Sequence, residues 1–321
     1  MSNRFPIDGR VERGWDEVAT TLERQVRRAG GGAAACVYFE GQPVVDVWAG
    51  ARAPGLRWEA QTAAMSFSTT KGVTATALHV LVDRGLLDYE DPVAKHWPEF
   101  AQNGKEGITV AHVLSHRAGL HTLRSLIDHG ERMLDWEHMT RALAEARPAY
   151  PPGAFPAYHG LTYGWLVGEI IRRVSGRPFS AFVREGVAEP LGIEGMHVGA
   201  PAEVCAAAAV LKRPGPMFAR VEVLRAPARA LRLVSRLVGF PIDLSYLRDA
   251  LIPEAGGDVF FTHPEILACA IPAANGLFTA RALARMYAAL GEGGTLDGVR
   301  LLSPETVRRA TTIQTRQRDR V

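Results

Sequence analysis

From Gly14 to Gly30 apolar positions recur every three or four residues, with Trp15, Val18, Leu22 and Val26 on one face. That spacing predicts a helix, and Gly30-Gly31-Gly32 ends it. The period then shortens to two in AAACVYFEGQPVVDVWAG. This predicts a hairpin with strands near Ala34–Phe39 and Val44–Ala49 around Gly41-Gln42-Pro43. MSFSTTKGVTATALHVLVDRGLLD, Met65 to Asp88, has amphipathic helical spacing from Ser68 onward, and helical patterns separated by Pro/Gly turns continue to about Leu290. LLSPETVRRATTIQTRQRDRV closes the sequence as a further helix, with Ser303 as N-cap and Pro304 in the first helical position.

This order predicts an α+β fold, an antiparallel sheet flanked by helices, rather than alternating βαβ units. The expected organisation is an α/β domain from 1–70 and 292–321 with an all-helical insertion from 71–291. Two strands make a poor sheet, so further strands are expected late in the chain, yet the closing helix leaves little room for them.

Composition narrows the function. The chain has 321 residues, 47% of them hydrophobic, and a formal net charge of only +3, which gives nucleic acid little to bind. Basicity comes from arginine, since lysine occurs only at 71, 95, 105 and 212. Cys36, Cys205 and Cys269 form no C-x-x-C pair and read as reduced thiols. The opening MSNRFPIDGRVERGW has no apolar segment of the secretory kind, so a cytoplasmic location is expected. The apolar run from Ile266 to Phe278 is interrupted by Pro272, Asn275 and Gly276, too early to span a bilayer. Around Arg220 to Phe240, Arg225, Arg229, Arg232 and Arg236 alternate with Leu231, Val234, Leu237 and Val238. That pattern fits a solvated helix face better than a lid touching lipid.

Some familiar chemistry is absent: G-x-S-x-G, H-E-x-x-H, the P-loop and G-x-G-x-x-G do not occur. His112, His116, His121, His129 and His138 have no zinc-ligand spacing, and no metal or organic cofactor is expected. Ser68 and Lys71 stand out because residues three apart share a helix face, which brings an amine to a hydroxyl. At a helix start, free N–H groups and the positive dipole end would stabilise an oxyanion, and the same dipole with partial burial would depress the lysine pKa. The same pair also fits an N-cap serine beside a solvated lysine. Farther on, PPGAFPAYHGLTYGWLVGEIIRRVSG places Tyr158 on a Pro/Gly loop before a helix from about Leu161. That helix carries Val167, Ile170, Ile171 and Val174 as its stripe and closes at Gly176. Such a tyrosine can carry a proton or simply pack.

Together these stretches resemble the serine β-lactamase-like superfamily of class C β-lactamases, D-Ala-D-Ala peptidases and related family VIII-type esterases. Ser68-Thr69-Thr70-Lys71 is similar to the family's S-x-x-K motif, and Tyr158-His159-Gly160 to its Y-x-N or Y-x-S. VAHVLSHRAGLHTL, from Val110, resembles the "LLSHTSGL" segment, and AANGLFTARALARMYAALGEGG, from Ala273, the "GGL-ST-DLARF" helix. The resemblance implies acyl transfer: Ser68 as nucleophile, Lys71 as its base, Tyr158 as proton carrier, and His159 and Gly160 toward the substrate. Gly160 lacks the side chain that helps hold a lactam, which favours a carboxylesterase on small-molecule esters over a β-lactamase, a D-Ala-D-Ala peptidase or an acyltransferase. The family's third motif, on a strand after the Pro304 helix, has no counterpart here. The resemblance therefore implies a C-terminally truncated member with an incomplete sheet, lacking one oxyanion donor and catalytically weak or inactive if that loss is not made good.

Overall fold

The computed structural model describes residues 6–211, 226–227, 229–231, 233, 244–253, 261 and 264–320. Most of the Arg-rich stretch from Arg220 to Phe240 lies outside them. The fold is α+β, with an antiparallel sheet beside a mostly helical body.

The sheet is built early in the chain. Strand β1 (Asp8–Val11) precedes helix α1 (Asp16–Ala29), which is followed by β2 (Gly32–Phe39), β3 (Gln42–Ala53) and β4 (Leu56–Arg57). The order is β1-β3-β2, and β4 also pairs with β3. Two extra strands thus flank the hairpin, and a late pair, Thr295–Leu296 with Val299–Arg300, forms a separate two-stranded sheet. The pattern concealed β1 because it is only four residues long, opens on Asp8-Gly9 and does not alternate in burial. It has a partner because β3 runs to twelve residues, longer than the hairpin pattern suggested. Along β3 the buried Val45, Val47 and Ala49 alternate with less buried neighbours, the period-two signature of a sheet with one packed face. Among the described residues β2 pairs only with β3 and forms one edge of the sheet.

The long segment after β4 is mostly but not wholly helical. Its exceptions, β6 (Met196–His197) and β7 (Leu277–Phe278), join β5 (Ala64–Met65) in a small sheet of order β5-β7-β6. Helices α2 (Thr70–Asp83), α3 (Trp136–Glu145) and α4 (Thr162–Ser175) form the centre of the body, with α2 packed on α4. Helix α2 is not amphipathic as the sequence suggested, and α4 carries Val167, Ile170 and Ile171 of its predicted apolar stripe within a longer buried run. Ten consecutive residues of α4, Thr162 to Ile171, are buried, and α2 is buried on almost every side. A helix enclosed by other elements loses its polar face. The polar residues of α2 are tolerated because they are bonded: Thr74 donates to the Pro272 carbonyl at 2.7 Å and Thr76 to the Gly72 carbonyl at 2.8 Å.

Helix α5 (Ala280–Gly291) packs on β2, and its Arg281 pairs with Asp46 of β3 and lies over the Trp48 ring. Helix α6 (Pro304–Thr311) begins with Ser303, whose hydroxyl accepts from the Thr306 amide at 3.2 Å, as the sequence predicts. No described helix is long and apolar enough to cross a membrane.

Candidate active site

Ser68 lies in a single 3-10 turn, Phe67–Thr69, that feeds directly into α2. It is therefore not the N-cap of α2, a position held by Thr69, and makes no side-chain capping bond. The preceding Phe67 has φ +43, a left-handed backbone that a bulky residue adopts only under constraint. The constraint comes from Thr70, whose hydroxyl donates to the Phe67 carbonyl at 2.6 Å and accepts from the Gly276 amide at 3.0 Å. The Ser66 amide in turn donates to the Gly276 carbonyl at 2.9 Å. The turn carrying Ser68 is thus tied to a segment two hundred residues away in sequence.

Lys71 is 8% exposed, so it is not a solvated first-turn lysine. Its Nζ lies 2.8 Å from the Gly160 carbonyl, 2.9 Å from the Ala273 carbonyl and 3.1 Å from Ser68 Oγ. Burial lowers its pKa from 10.5 to about 7. The cause is desolvation, the burial part of the sequence expectation. A neutral amine here gives its two N–H groups to the two carbonyls and directs its lone pair at Ser68 Oγ.

Tyr158 Oη is 2.6 Å from Ser68 Oγ, and the Lys71 amine lies 4.8 Å from the centre of the tyrosine ring. Burial raises the phenol pKa, opposed by the Ser68 hydrogen bond, so the tyrosine keeps its proton at neutral pH. Ser68 itself is exposed, leaving its hydroxyl open to an incoming carbonyl.

Sequence reasoning gave His159 and Gly160 to the substrate side, and the structure places them differently. His159 is completely buried; its Nδ1–H donates to the Ala157 carbonyl at 2.6 Å and its Nε2 accepts from the Leu120 amide at 3.1 Å. Both ring nitrogens are therefore committed to main chain. Gly160 contributes its carbonyl to Lys71, and a Cβ added there would come within 2.6 Å of Leu251 Cδ2. An Asn or Ser at this position would displace Leu251.

Four further residues build the site without carrying an obvious chemical signature. Gly164 and Gly168 of α4 let the 272–273 segment approach, since a Cβ on Gly164 would lie 2.5 Å from the Ala273 amide nitrogen. That approach puts the Ala273 carbonyl on Lys71. Asn275, fully buried, accepts from the Ile271 amide at 2.9 Å and donates to the Cys269 carbonyl at 2.7 Å, holding the same segment in shape. His116 Nδ1 accepts from the His159 amide at 3.1 Å. Asn275 and His116 stand within the family-like segments from Ala273 and Val110, which was the available signal. A cavity of about 550 Å³ opens elsewhere, beside β2 between Tyr38, His197 and Arg285, and none of Ser68, Lys71 and Tyr158 lines it.

Fold and site together define a β-lactamase-like protein with a Ser-Lys-Tyr cluster. The β-lactamase family model matches residues 11–321, and the chain belongs to that family. It is 46% identical over 284 residues to the esterase/beta-lactamase LipL of Mycobacterium tuberculosis, covering 88% of this chain and 63% of LipL. Among solved structures, it is similar to a family VIII carboxylesterase at 30% identity and TM-score 0.80, covering 96% of this chain and 78% of the other. A penicillin-binding protein homolog from Caulobacter crescentus matches at 34% identity and TM-score 0.80, with 98% and 79% covered.

Proposed function

We propose that this chain is a serine hydrolase, a carboxylesterase that acts on small-molecule esters through an acyl-enzyme on Ser68. The observation that carries the reading is the Lys71 amine, fixed by two carbonyls with its third direction toward a hydroxyl 3.1 Å away. A buried amine so placed is a general base at neutral pH.

In the proposed mechanism Ser68 Oγ attacks the ester carbonyl as Lys71 removes its proton, with Tyr158 bonded to the same oxygen. The tetrahedral oxyanion takes a hydrogen bond from the Ser68 amide. Tyr158 hands a proton to the leaving alkoxide and is reprotonated from Lys71, which leaves an acyl-Ser68 ester. Water activated by the same pair then releases the acid and restores Ser68. His159 and Gly160 serve as frame, through ring hydrogen bonds and a carbonyl. The tight space at Gly160 favours esters over lactams, because no side chain there can reach a lactam amide.

A β-lactam is the second reading, favoured by the double activity in the name of LipL. Comparing p-nitrophenyl ester with nitrocefin turnover separates the two. The decisive test is Ser68→Ala, expected to lower ester kcat by on the order of 10⁴ to 10⁶ and to abolish labelling by a fluorophosphonate. An unchanged rate in that variant would remove Ser68 from the mechanism.

A further inference from the structure

The tyrosine of the site sits on a short loop, and an unassigned histidine grips that loop at two places. His116 follows the helix Val110–Leu114 and has φ +59. Its carbonyl accepts from the Ala157 amide at 3.0 Å and from the Tyr150 hydroxyl at 3.3 Å. Its Nδ1 accepts from the His159 amide at 3.1 Å. The two amides flank Tyr158, whose own amide donates to Asp319 Oδ1 at 3.1 Å. The His116 ring lies 5.0 Å from the Tyr158 ring and 5.0 Å from that of Tyr163.

An acceptor at Nδ1 fixes the chemical state of the ring. The lone pair must face the His159 amide, so the single proton of a neutral imidazole sits on Nε2. Burial, and then the nearby Lys71 charge, push the His116 pKa down to about 4, which keeps the ring neutral. His159 locks the loop from the other side through Ala157 and Leu120.

We infer that His116 is a positioning residue for Tyr158: its Nδ1 and carbonyl clamp the amides of His159 and Ala157, so that the phenol is held 2.6 Å from Ser68 Oγ. This rests on the hydrolase reading, in which Tyr158 moves protons. A frame that fixes the reacting groups acts mainly on kcat, because misplacing them by about 1 Å costs about 10²-fold.

The test compares three variants. Asn tolerates a left-handed backbone and offers Oδ1 where Nδ1 stands. His116→Asn should therefore keep kcat within about fivefold of wild type, whereas His116→Gln and His116→Phe should lose about 10²-fold in kcat with KM changed less than about threefold. A folded His116→Asn as damaged as His116→Phe overturns the clamp, as does equal activity in all three. ¹⁵N-histidine NMR of the wild type supplies a readout independent of turnover and of variant folding: the inference requires an unprotonated Nδ1 on His116, and a protonated one overturns it. Wild-type protein with that tautomer but neither ester turnover nor fluorophosphonate labelling would instead strike the hydrolase reading alone.

Discussion

At the scale of single residues, the site is controlled by the environment of one amine. Lys71 is held at about pKa 7 by burial, and its three neighbours are two carbonyls and a hydroxyl. The base form is the neutral one, so kcat/KM for an ester should rise tenfold per pH unit below about pH 7 and level off above it. A pH–rate profile from 5 to 9 measures this, and Lys71→Arg should be inactive throughout because guanidinium does not deprotonate. The stability sign follows as well. Lysine binds its proton up to 10.5 in the unfolded chain but only to about 7 in the fold, so stability contributed by this group rises with pH between those values. Ser68 and Lys71 were legible in sequence because three-residue spacing fixes a shared helix face. The two carbonyls that hold the amine were not legible, since Gly160 and Ala273 lie 89 and 202 residues away.

At the scale of elements, the site depends on close approach between α4 and the segment before β7. Gly164 sits mid-helix, where glycine costs about 1 kcal/mol relative to alanine, so intrinsic propensity alone favours Gly164→Ala. Packing opposes it. A Cβ there would lie 2.5 Å from the Ala273 amide nitrogen and 3.0 Å from the Pro272 backbone, which cannot swing aside as a long side chain can. Overpacking of this kind costs about 1–3 kcal/mol. Gly164→Ala should therefore show a net loss of roughly 0–2 kcal/mol by thermal or urea unfolding. It should lose more in kcat than in stability, because the displaced Ala273 carbonyl is one of the two that aim Lys71. The boundaries of α1, α4 and α6 were readable from apolar spacing and from caps such as Gly176, which has φ +65, and Ser303. The two-residue strands of the small sheet were not, because pairing of that length is imposed by tertiary contact rather than by any local pattern.

At the scale of the whole molecule, the sequence conveyed the α+β class and the juxtaposition of Ser68 with Tyr158, the latter through family resemblance rather than periodicity. It missed two strands of the sheet because β1 and β4 are too short to announce themselves and gain stability only against the long β3. Long-range closure is also where the last helix matters. Asp83, at the end of α2, accepts from the Ser303 amide at 2.8 Å and from the Thr306 hydroxyl at 2.6 Å. One carboxylate thus couples the helix that carries the site to the N-terminus of α6, more than two hundred residues onward. Arg309 adds a second tie to Asp88 at 2.8 Å. Burial alone would raise the Asp83 pKa, but the Ser303 and Thr306 hydrogen bonds outweigh it and hold the carboxyl below its usual value. A depressed carboxylate stabilises the fold above the ordinary carboxylate range and loses that contribution as pH falls through it. Asp83→Ala should accordingly cost about 1–3 kcal/mol at pH 7, from the lost charged acceptor and the uncapped Ser303 amide. Measured again near pH 3, the gap between variant and wild type should narrow. A gap that stays constant from pH 7 to pH 3 would mean that Asp83 acts by packing and not as a charged acceptor for α6.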